Sequence, residues 1–397
     1  MSKAASRIAD SSLADEGRQR LEWTRTRMPI LRSLKKTLEE ERPFDEMKIA
    51  ICLHVEPKTA VWLEALRAGG AEIFITGSPG TTDDATAAFL AEMSGVNVFA
   101  KREETFDDHI EYARSILEFD PDLISDNGAD LHSLIHSDFK HLKTKLIGAT
   151  EETTSGGYRL REEIESDSFP TIVINDSRAK RIIENRYGVG QSVVDSIMRS
   201  TNALIGGLRA AVIGYGYCGR GVALCLKNLG ARVTVVDIDP LTRLDALLEG
   251  FNVAEKAEAI SGADLVITVT GRDNTLQTED FERLSDGAIV ANAGHFEFEI
   301  DVDGLRNQAR SESRLSEDIE KFSLASSKEI FLLGKGRPVN LSAGEGNPIE
   351  VMDLGLALQT LSFRFLVENG SSLRNGPQNV PDEVERMVSE LAFEAWK

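Results

Sequence analysis

Gly214, Gly216 and Gly219 lie in the run Leu208–Pro240, LRAAVIGYGYCGRGVALCLKNLGARVTVVDIDP. A β-branched run, Ala210 to Ile213, leads into this G-x-G-x-x-G turn. A helical pattern follows to about Leu229, and then a second strand, Val233 to Val236, ending in Asp237. A glycine triplet alone is weak, but a strand before it, an amphipathic helix after it and an acidic residue roughly 20 positions on make a dinucleotide fingerprint. Gly214 permits the tight turn, Gly216 lets the backbone approach a pyrophosphate, and Gly219 lets helix and strand pack closely. The helix start offers N–H groups to the phosphates. Asp237 would accept from both hydroxyls of an adenosine ribose and repel a 2′-phosphate, so the expected cofactor is NAD and not NADP.

Other groups with chemical potential are less telling by themselves. Lys180 and Glu184 are an i, i+4 pair, which read alone is surface decoration. His54 ends an apolar strand, where a single histidine usually fills a structural role. His109, His132, His136 and His141 read as surface or packing residues. Cys52, Cys218 and Cys225 have no paired spacing, so neither a disulfide framework nor a zinc site is expected, and no metal is assigned.

The elements that must position these groups alternate in type. Gly17 to Glu41 reads as helix with a break at Pro29, after a polar segment to about residue 14 that reads as a flexible arm. From Lys48, short apolar runs (MKIAICLHV, AEIFITG, VNVFA, LISDN, TIVI) alternate with helices. Such alternation gives an α/β fold with doubly wound parallel sheets. Ligands then sit beyond the carboxyl ends of the strands, which brings forward His54, Asp126, Asn127 and residues 150–157. A long helix from Gly190 leads into the fingerprint, and Ile349 to Asn369 reads as a helix that returns to the first domain. The expected division is a substrate-binding domain at 1–190, an inserted Rossmann NAD domain at 191–347, and C-terminal helices at 348–397. At 397 residues the chain is long for one core. A net charge of −20 disfavours nucleic acid or an anionic membrane as partner. No membrane span or signal peptide is legible, so the expected location is cytoplasmic.

The motifs GATEETTSGG, NDSRAKRIIENRYG, VIGYGYCGRG and ANAGHFEFEID, with CLHVEPKTAVWLEAL, DNGADLHSLIH and RPVNLSAGEGNP, together resemble the S-adenosylhomocysteine hydrolase family. The resemblance implies two domains closing over a nucleoside, and an NAD that is reduced and re-oxidised within each turnover. In that chemistry the 3′-hydroxyl is oxidised, C4′–H is removed, the 5′ substituent leaves, water adds and the ketone is reduced. By position, the resemblance makes Lys180 the base near the 3′-hydroxyl with Glu152 and Glu184 as carboxylate partners, and gives His54 and His295 the protons at the 5′ end. It implies sugar or cofactor contacts for Thr153, Thr154, Ser155, Asn185 and Asn340, and base contacts for Glu56, Lys58, Thr59 and Asn347. A homo-oligomer, dimer or tetramer, is also implied.

The sequence departs from the family pattern in four places. Asn127 stands where the second of two aspartates acts as an acid/base, and an amide cannot exchange a proton near neutral pH. Glu56 and Lys58 replace an adenine-contacting Thr and Gln, Asn347 replaces a histidine, and Glu345 stands where an apolar residue is usual. Val189 replaces a cysteine near the nicotinamide. The C-terminal lysine and tyrosine that reach a neighbouring subunit's NAD are not found before Lys397, so cofactor affinity and assembly are expected to differ. The redox half is kept while base recognition and 5′ proton handling are altered. The expected activity is therefore elimination and re-reduction without water addition, a lyase or dehydratase giving a 4′,5′-unsaturated nucleoside. A true S-adenosylhomocysteine hydrolase, or a hydrolase of a related thioether, is the first alternative. An NAD-binding regulatory pseudoenzyme is the second.

Overall fold

The computed structural model describes residues 6–164, 168–294 and 297–397. The chain divides into two compact units. The first comprises the residues up to Lys180 together with Ile349–Lys397, and the second is Arg181–Pro348.

The first unit is built on seven strands: β1 (Lys48–Cys52), β2 (Glu72–Thr76), β3 (Val96–Phe99), β4 (Leu123–Asp126), β5 (Gly148–Glu151), β6 (Pro170–Val173) and β15 (Gly376–Asn379). All pair in parallel, in the order β15-β6-β5-β4-β1-β2-β3. The order reverses between β1 and β4, and the crevice at such a switch point is where doubly wound sheets hold ligands. Six of these strands are buried at almost every position, as helices on both faces require. Helix Ile349–Asn369 packs on β5 and is buried along most of its length. Trp62, fully buried on helix Pro57–Ala68, stacks 6.2 Å from Phe363 and donates its indole N–H to Thr360 at 2.8 Å. Asp353 on the same late helix accepts the Ile30 and Leu31 N–H groups, both at 2.8 Å. These are open donors at the start of helix Pro29–Glu41, so residues far apart in the chain share one capping interaction.

The second unit holds β7 (Arg209–Ile213), β8 (Arg232–Val236), β9 (Asn252–Val253), β10 (Leu265–Thr268), β11 (Ala288–Asn292), β12 (Ser311–Arg314), β13 (Ile319–Ser323) and β14 (Glu329–Leu333). Strands β9-β8-β7-β10-β11-β14 run parallel, and β13 and β12 extend the sheet antiparallel. The parallel part has the winding of a dinucleotide-binding fold, with its switch point between β7 and β10. One apolar cluster on each face of this sheet, containing Val212, Val222, Leu226 and Leu333 on one side and Ile213, Phe281, Val290 and Phe322 on the other, closes the core.

The structure corrects two expectations. The segment before residue 14 is not a free arm over its described part. Arg7 bridges to β3, its N–H donating to the Val98 carbonyl at 2.8 Å and its carbonyl accepting the Ala100 N–H at 3.0 Å, and Ser11–Leu13 forms a 3₁₀ turn. The second sheet is not purely parallel, since β12 and β13 form an antiparallel edge. Helix Val189–Thr201 is preceded by nine residues, Lys180–Gly188, wound as a π-helix. Such wide turns recur at functional positions. Among the described residues no helix is long and apolar enough to cross a membrane.

Candidate active site

In the first unit the predicted residues gather where β1, β4, β5 and β6 end. His54 follows β1, half-buried, with Nδ1 3.0 Å from the Thr81 hydroxyl. Glu56 caps the next helix, its carboxylate accepting the Lys58 N–H at 3.0 Å. The Lys58 ammonium lies 3.4 Å from that same carboxylate, with the residue only 8% exposed. Thr59 is buried beside it. A buried lysine costs free energy unless paired, so the Glu56–Lys58 pair is a built feature of this strand end.

Asn127 opens the loop after β4. Its neighbour Asp126 is fully buried and committed elsewhere: Oδ2 accepts the His132 backbone N–H at 2.9 Å and lies 2.8 Å from His132 Nδ1. The other ring nitrogen of His132 is 3.2 Å from Thr171 Oγ1. The loop turns through Gly128 (φ 98°) and Ala129 (φ 64°), a left-handed conformation unfavourable for alanine. Two groups hold it there. Glu151 accepts the Gly128 and Ala129 N–H groups at 3.1 and 3.0 Å, and the Arg159 guanidinium donates to the Gly128 carbonyl while bonding Asp130 at 2.8 Å and Ser133 at 2.9 Å. Burial, and then the nearby Asp126 charge, push the Glu151 carboxyl up to about 8. Asp126, His132 and Glu151 bring three ligand-type atoms within 4.8 Å of one another. The hydrogen bonds just described already engage all three, so the cluster acts as an internal brace for the loop.

Glu152 follows β5. One of its oxygens pairs with the Lys180 ammonium and the other accepts the Gln359 amide N–H at 2.6 Å. Lys180 lies past β6, and the turn leading to it is capped by Glu385, which accepts the Arg178 and Ala179 N–H groups at 2.7 and 3.2 Å. Thr153 caps helix Thr154–Glu162, accepting the Gly156 N–H at 2.9 Å. Its hydroxyl also donates to Glu151 at 2.7 Å and lies 3.1 Å from Ser155 Oγ. Thr154 is the first residue of that helix.

In the second unit the glycine turn sits at the switch point. A Cβ on Gly214 would meet the Val269 carbonyl oxygen at 2.6 Å, and one on Gly219 would meet the Gly214 carbonyl oxygen at 2.0 Å, so neither position admits a side chain. A Cβ on Gly216 would meet nothing within 4 Å. Gly216 is also the N-cap of helix Tyr217–Asn228, with no side chain capping it. Open space in front of an uncapped helix start is what a pyrophosphate requires. Asp237 accepts the Tyr215 N–H at 2.7 Å and the Asp239 N–H at 2.9 Å, which fixes its carboxylate at the end of β8 with lone pairs to spare for ribose hydroxyls. These residues fit a bound NAD.

Glu184, buried in the π-helical stretch, accepts the Asn347 amide N–H at 3.2 Å. Asn347 accepts from Ser192 Oγ at 3.2 Å, and Asn340 donates to that hydroxyl at 3.3 Å. Three residues named from sequence are thus joined through a serine that was not. Asn185 follows Glu184, half-buried. His295 lies outside the described residues. Its neighbour Gly294 contacts Glu299, on whose Oε1 a Cβ at Gly294 would fall at 1.5 Å. Glu299 is fully buried and accepts the Thr270 and Gly271 N–H groups at 2.9 and 2.7 Å, and burial raises its carboxyl above the usual range. It bridges the loops after β10 and β11 as Glu151 bridges those after β4 and β5. Sequence reading missed Glu151, His132, Arg159, Gln359, Ser192 and Glu299. The one available signal was the Glu151–Glu152 doublet at a strand end.

Comparison with known proteins agrees with this arrangement. Residues 5–144 match the family model for S-adenosyl-L-homocysteine hydrolase, and residues 185–346 match the model for its NAD-binding domain. An S-inosyl-L-homocysteine hydrolase of Methanopyrus kandleri is 42% identical over 98% of this chain and 92% of its own. Adenosylhomocysteinases of Sulfurisphaera tokodaii and Sulfolobus acidocaldarius are 42% and 43% identical, over 97% and 98% of this chain and 93% and 94% of theirs. Among solved structures, the A chain of dipicolinate synthase from Bacillus subtilis superposes with a TM-score of 0.51 at 12% identity, covering 81% of this chain and 97% of that one, a likeness of fold alone. The glycine turn, Asp237 and the matched NAD-binding domain make NAD the cofactor. With nearly its whole length aligned to them, the chain belongs to the S-adenosyl-L-homocysteine hydrolase family.

Proposed function

We propose that this enzyme oxidises the 3′-hydroxyl of a bound purine nucleoside, eliminates its 5′ substituent and re-reduces the sugar without adding water, releasing a 4′,5′-unsaturated nucleoside. NAD, when bound, would supply a reversible hydride acceptor for C3′. Lys180, as the free amine, takes the 3′-hydroxyl proton, and the Glu152 carboxylate holds Nζ in place for it. Lys180 passes that proton to the Glu152 carboxylate and is again a free amine; with C3′ a carbonyl, the C4′ proton is acidic enough for it, and the electron pair left on C4′ expels the 5′ group. Glu184 is assigned with Glu152 as a carboxylate partner of Lys180, Asn185 to the ribose or nicotinamide, and His54 and His295 to the leaving group's proton. Thr153, Thr154 and Ser155 are assigned to sugar or cofactor contacts, as is Asn340.

The observation that carries the lyase reading is the loop after β4. Besides the acid that protonates the leaving group, water addition needs a second acid/base at C5′; Asn127 cannot serve, and Asp126 is spent on His132 in a fully buried pair. Glu56 and Lys58 put an acceptor and a donor 3.4 Å apart, which suits a purine edge, either O6 and N1–H of hypoxanthine or N1 and N6–H of adenine. Thr59 and Asn347 are assigned to the same base.

Hydrolysis is the second reading, favoured by the relatives, which are named as hydrolases of S-inosyl- and S-adenosyl-homocysteine. Incubating the purified protein with adenosine, inosine and the two S-nucleosylhomocysteines, with products followed by mass, separates the readings. From the S-nucleosylhomocysteines, homocysteine together with a nucleoside one water lighter than the intact one is expected. Release of homocysteine with intact nucleoside would overturn the lyase and establish the hydrolase.

A further inference from the structure

Gln359 lies on helix Ile349–Asn369, fully buried, and has no part in the roles assigned above. Its carbonyl oxygen accepts from Thr150 Oγ1 at 2.6 Å and from Ser125 Oγ at 3.1 Å. These two hydroxyls sit on register partners of β5 and β4 and are themselves fully buried. The Glu152 carboxylate can only accept, so the amide turns its NH₂ to Oε2 at 2.6 Å and its oxygen to the two hydroxyls. That contact occupies one carboxylate oxygen and leaves the other to Lys180. No surface water can replace the amide, because every member of the network is buried.

We propose that Gln359 is a positioning residue for the oxidation step, holding Glu152 in the one rotamer that presents Lys180 Nζ to the substrate hydroxyl. The inference rests on the assignment of Lys180 as the 3′ base. A glutamine that served only to join helix to sheet would make the two hydroxyl contacts and would not need the third. The third contact reaches the carboxylate of the buried ion pair. Among the charged groups of the same unit near that pair are Glu151, next to Glu152 in the chain, Asp126, whose backbone carbonyl accepts the Glu152 N–H at 3.0 Å, and Glu385 at the turn before Lys180.

The test uses the NAD-loaded enzyme mixed with adenosine or inosine, following transient NADH absorbance in single turnovers. Gln359→Leu removes a hydrogen bond to a charged group and should slow NADH formation about 10- to 100-fold, with bound NAD and KM unchanged. Gln359→Glu keeps the shape but sets a second carboxyl against Glu152; two carboxylates that close cannot both ionise, so the pair takes up a proton and the pH–rate profile of NADH formation should change. Unchanged rate and profile in both variants, with only a lower melting temperature, would reduce Gln359 to a structural contact and overturn the inference. Lys180→Met separates the two levels. If it abolishes the NADH signal while the Gln359 variants do not alter it, the Gln359 inference alone fails; if the signal persists, the Lys180 assignment fails as well.

Discussion

The buried Lys180–Glu152 pair lets structural and chemical roles be measured apart. Lys180 is 4% exposed and Glu152 6%. Replacing Lys180 by Met leaves the buried Glu152 carboxylate with the Gln359 amide but without the Lys180 charge. Breaking one side of such a pair costs about 3–5 kcal/mol. The double variant Lys180→Met, Glu152→Gln removes both charges and keeps an acceptor for Gln359, so most of that loss should return. Urea unfolding of the NAD-loaded protein, read by tryptophan fluorescence, gives the two free energies; Trp62 reports from the core of the unit that carries the pair. Single-turnover NADH absorbance gives the chemistry. The expected pattern is a large stability loss in the single variant, recovery in the double, and no redox signal in either. A cost below about 1 kcal/mol in the single variant would mean that the pair is hydrated, as surface pairs are, and would refute the reasoning from burial.

Further outcomes follow from the same contacts. Gly216→Ala, where an added Cβ meets open space, should fold normally and lose about tenfold or more in NAD affinity because the pyrophosphate needs that space. Gly219→Ala, with a carbonyl oxygen 2.0 Å from the new Cβ, should lose NAD and destabilise the turn itself; both are read by NAD content and thermal melting. Glu151 ionises at about 8 in the fold against an ordinary 4.5. Between those values the unfolded chain binds fewer protons than the folded one, so stability falls as pH rises through this window. Glu151→Gln should flatten the fall, measured as melting temperature at about pH 5 and about pH 8. Asn127→Asp restores a proton carrier at the C5′ end and should raise hydrolysis relative to elimination in the product masses.

The fingerprint was readable because its constraints are local: a turn within a few residues decides which positions must be glycine. The parallel strands were readable because burial on both faces leaves apolar runs. The β12–β13 hairpin escaped because SESR on the edge is exposed and carries no apolar alternation, and β15 because GPQN has no strand-forming side chain. Arg7 looked unattached since nothing in a polar segment signals pairing with β3. The hidden part of the candidate site consists of residues with long-range partners: Gln359 meets Glu152 across 207 residues, and Glu299 holds a loop 28 positions earlier. Glutamine on an apolar helix, or glutamate after a strand, is too common for spacing alone to single out. His132 read as packing, which its burial agrees with, but its tie to Asp126 shows only in three dimensions.

The late arrival of helix Ile349–Asn369 also bears on biosynthesis. The first unit is interrupted: Gln359, Thr360 and Asp353 must join a sheet whose other members lie before Lys180, and the whole of Arg181–Pro348 is made in between. At roughly 5–20 residues per second that segment occupies the ribosome for on the order of ten seconds or more. Throughout this time the nascent first unit has β5 uncovered, the Trp62 indole N–H without Thr360, and Glu152 without its amide. The inserted nucleotide fold is contiguous and can close first. The NAD-binding fold can therefore close before the Lys180–Glu152–Gln359 network is complete.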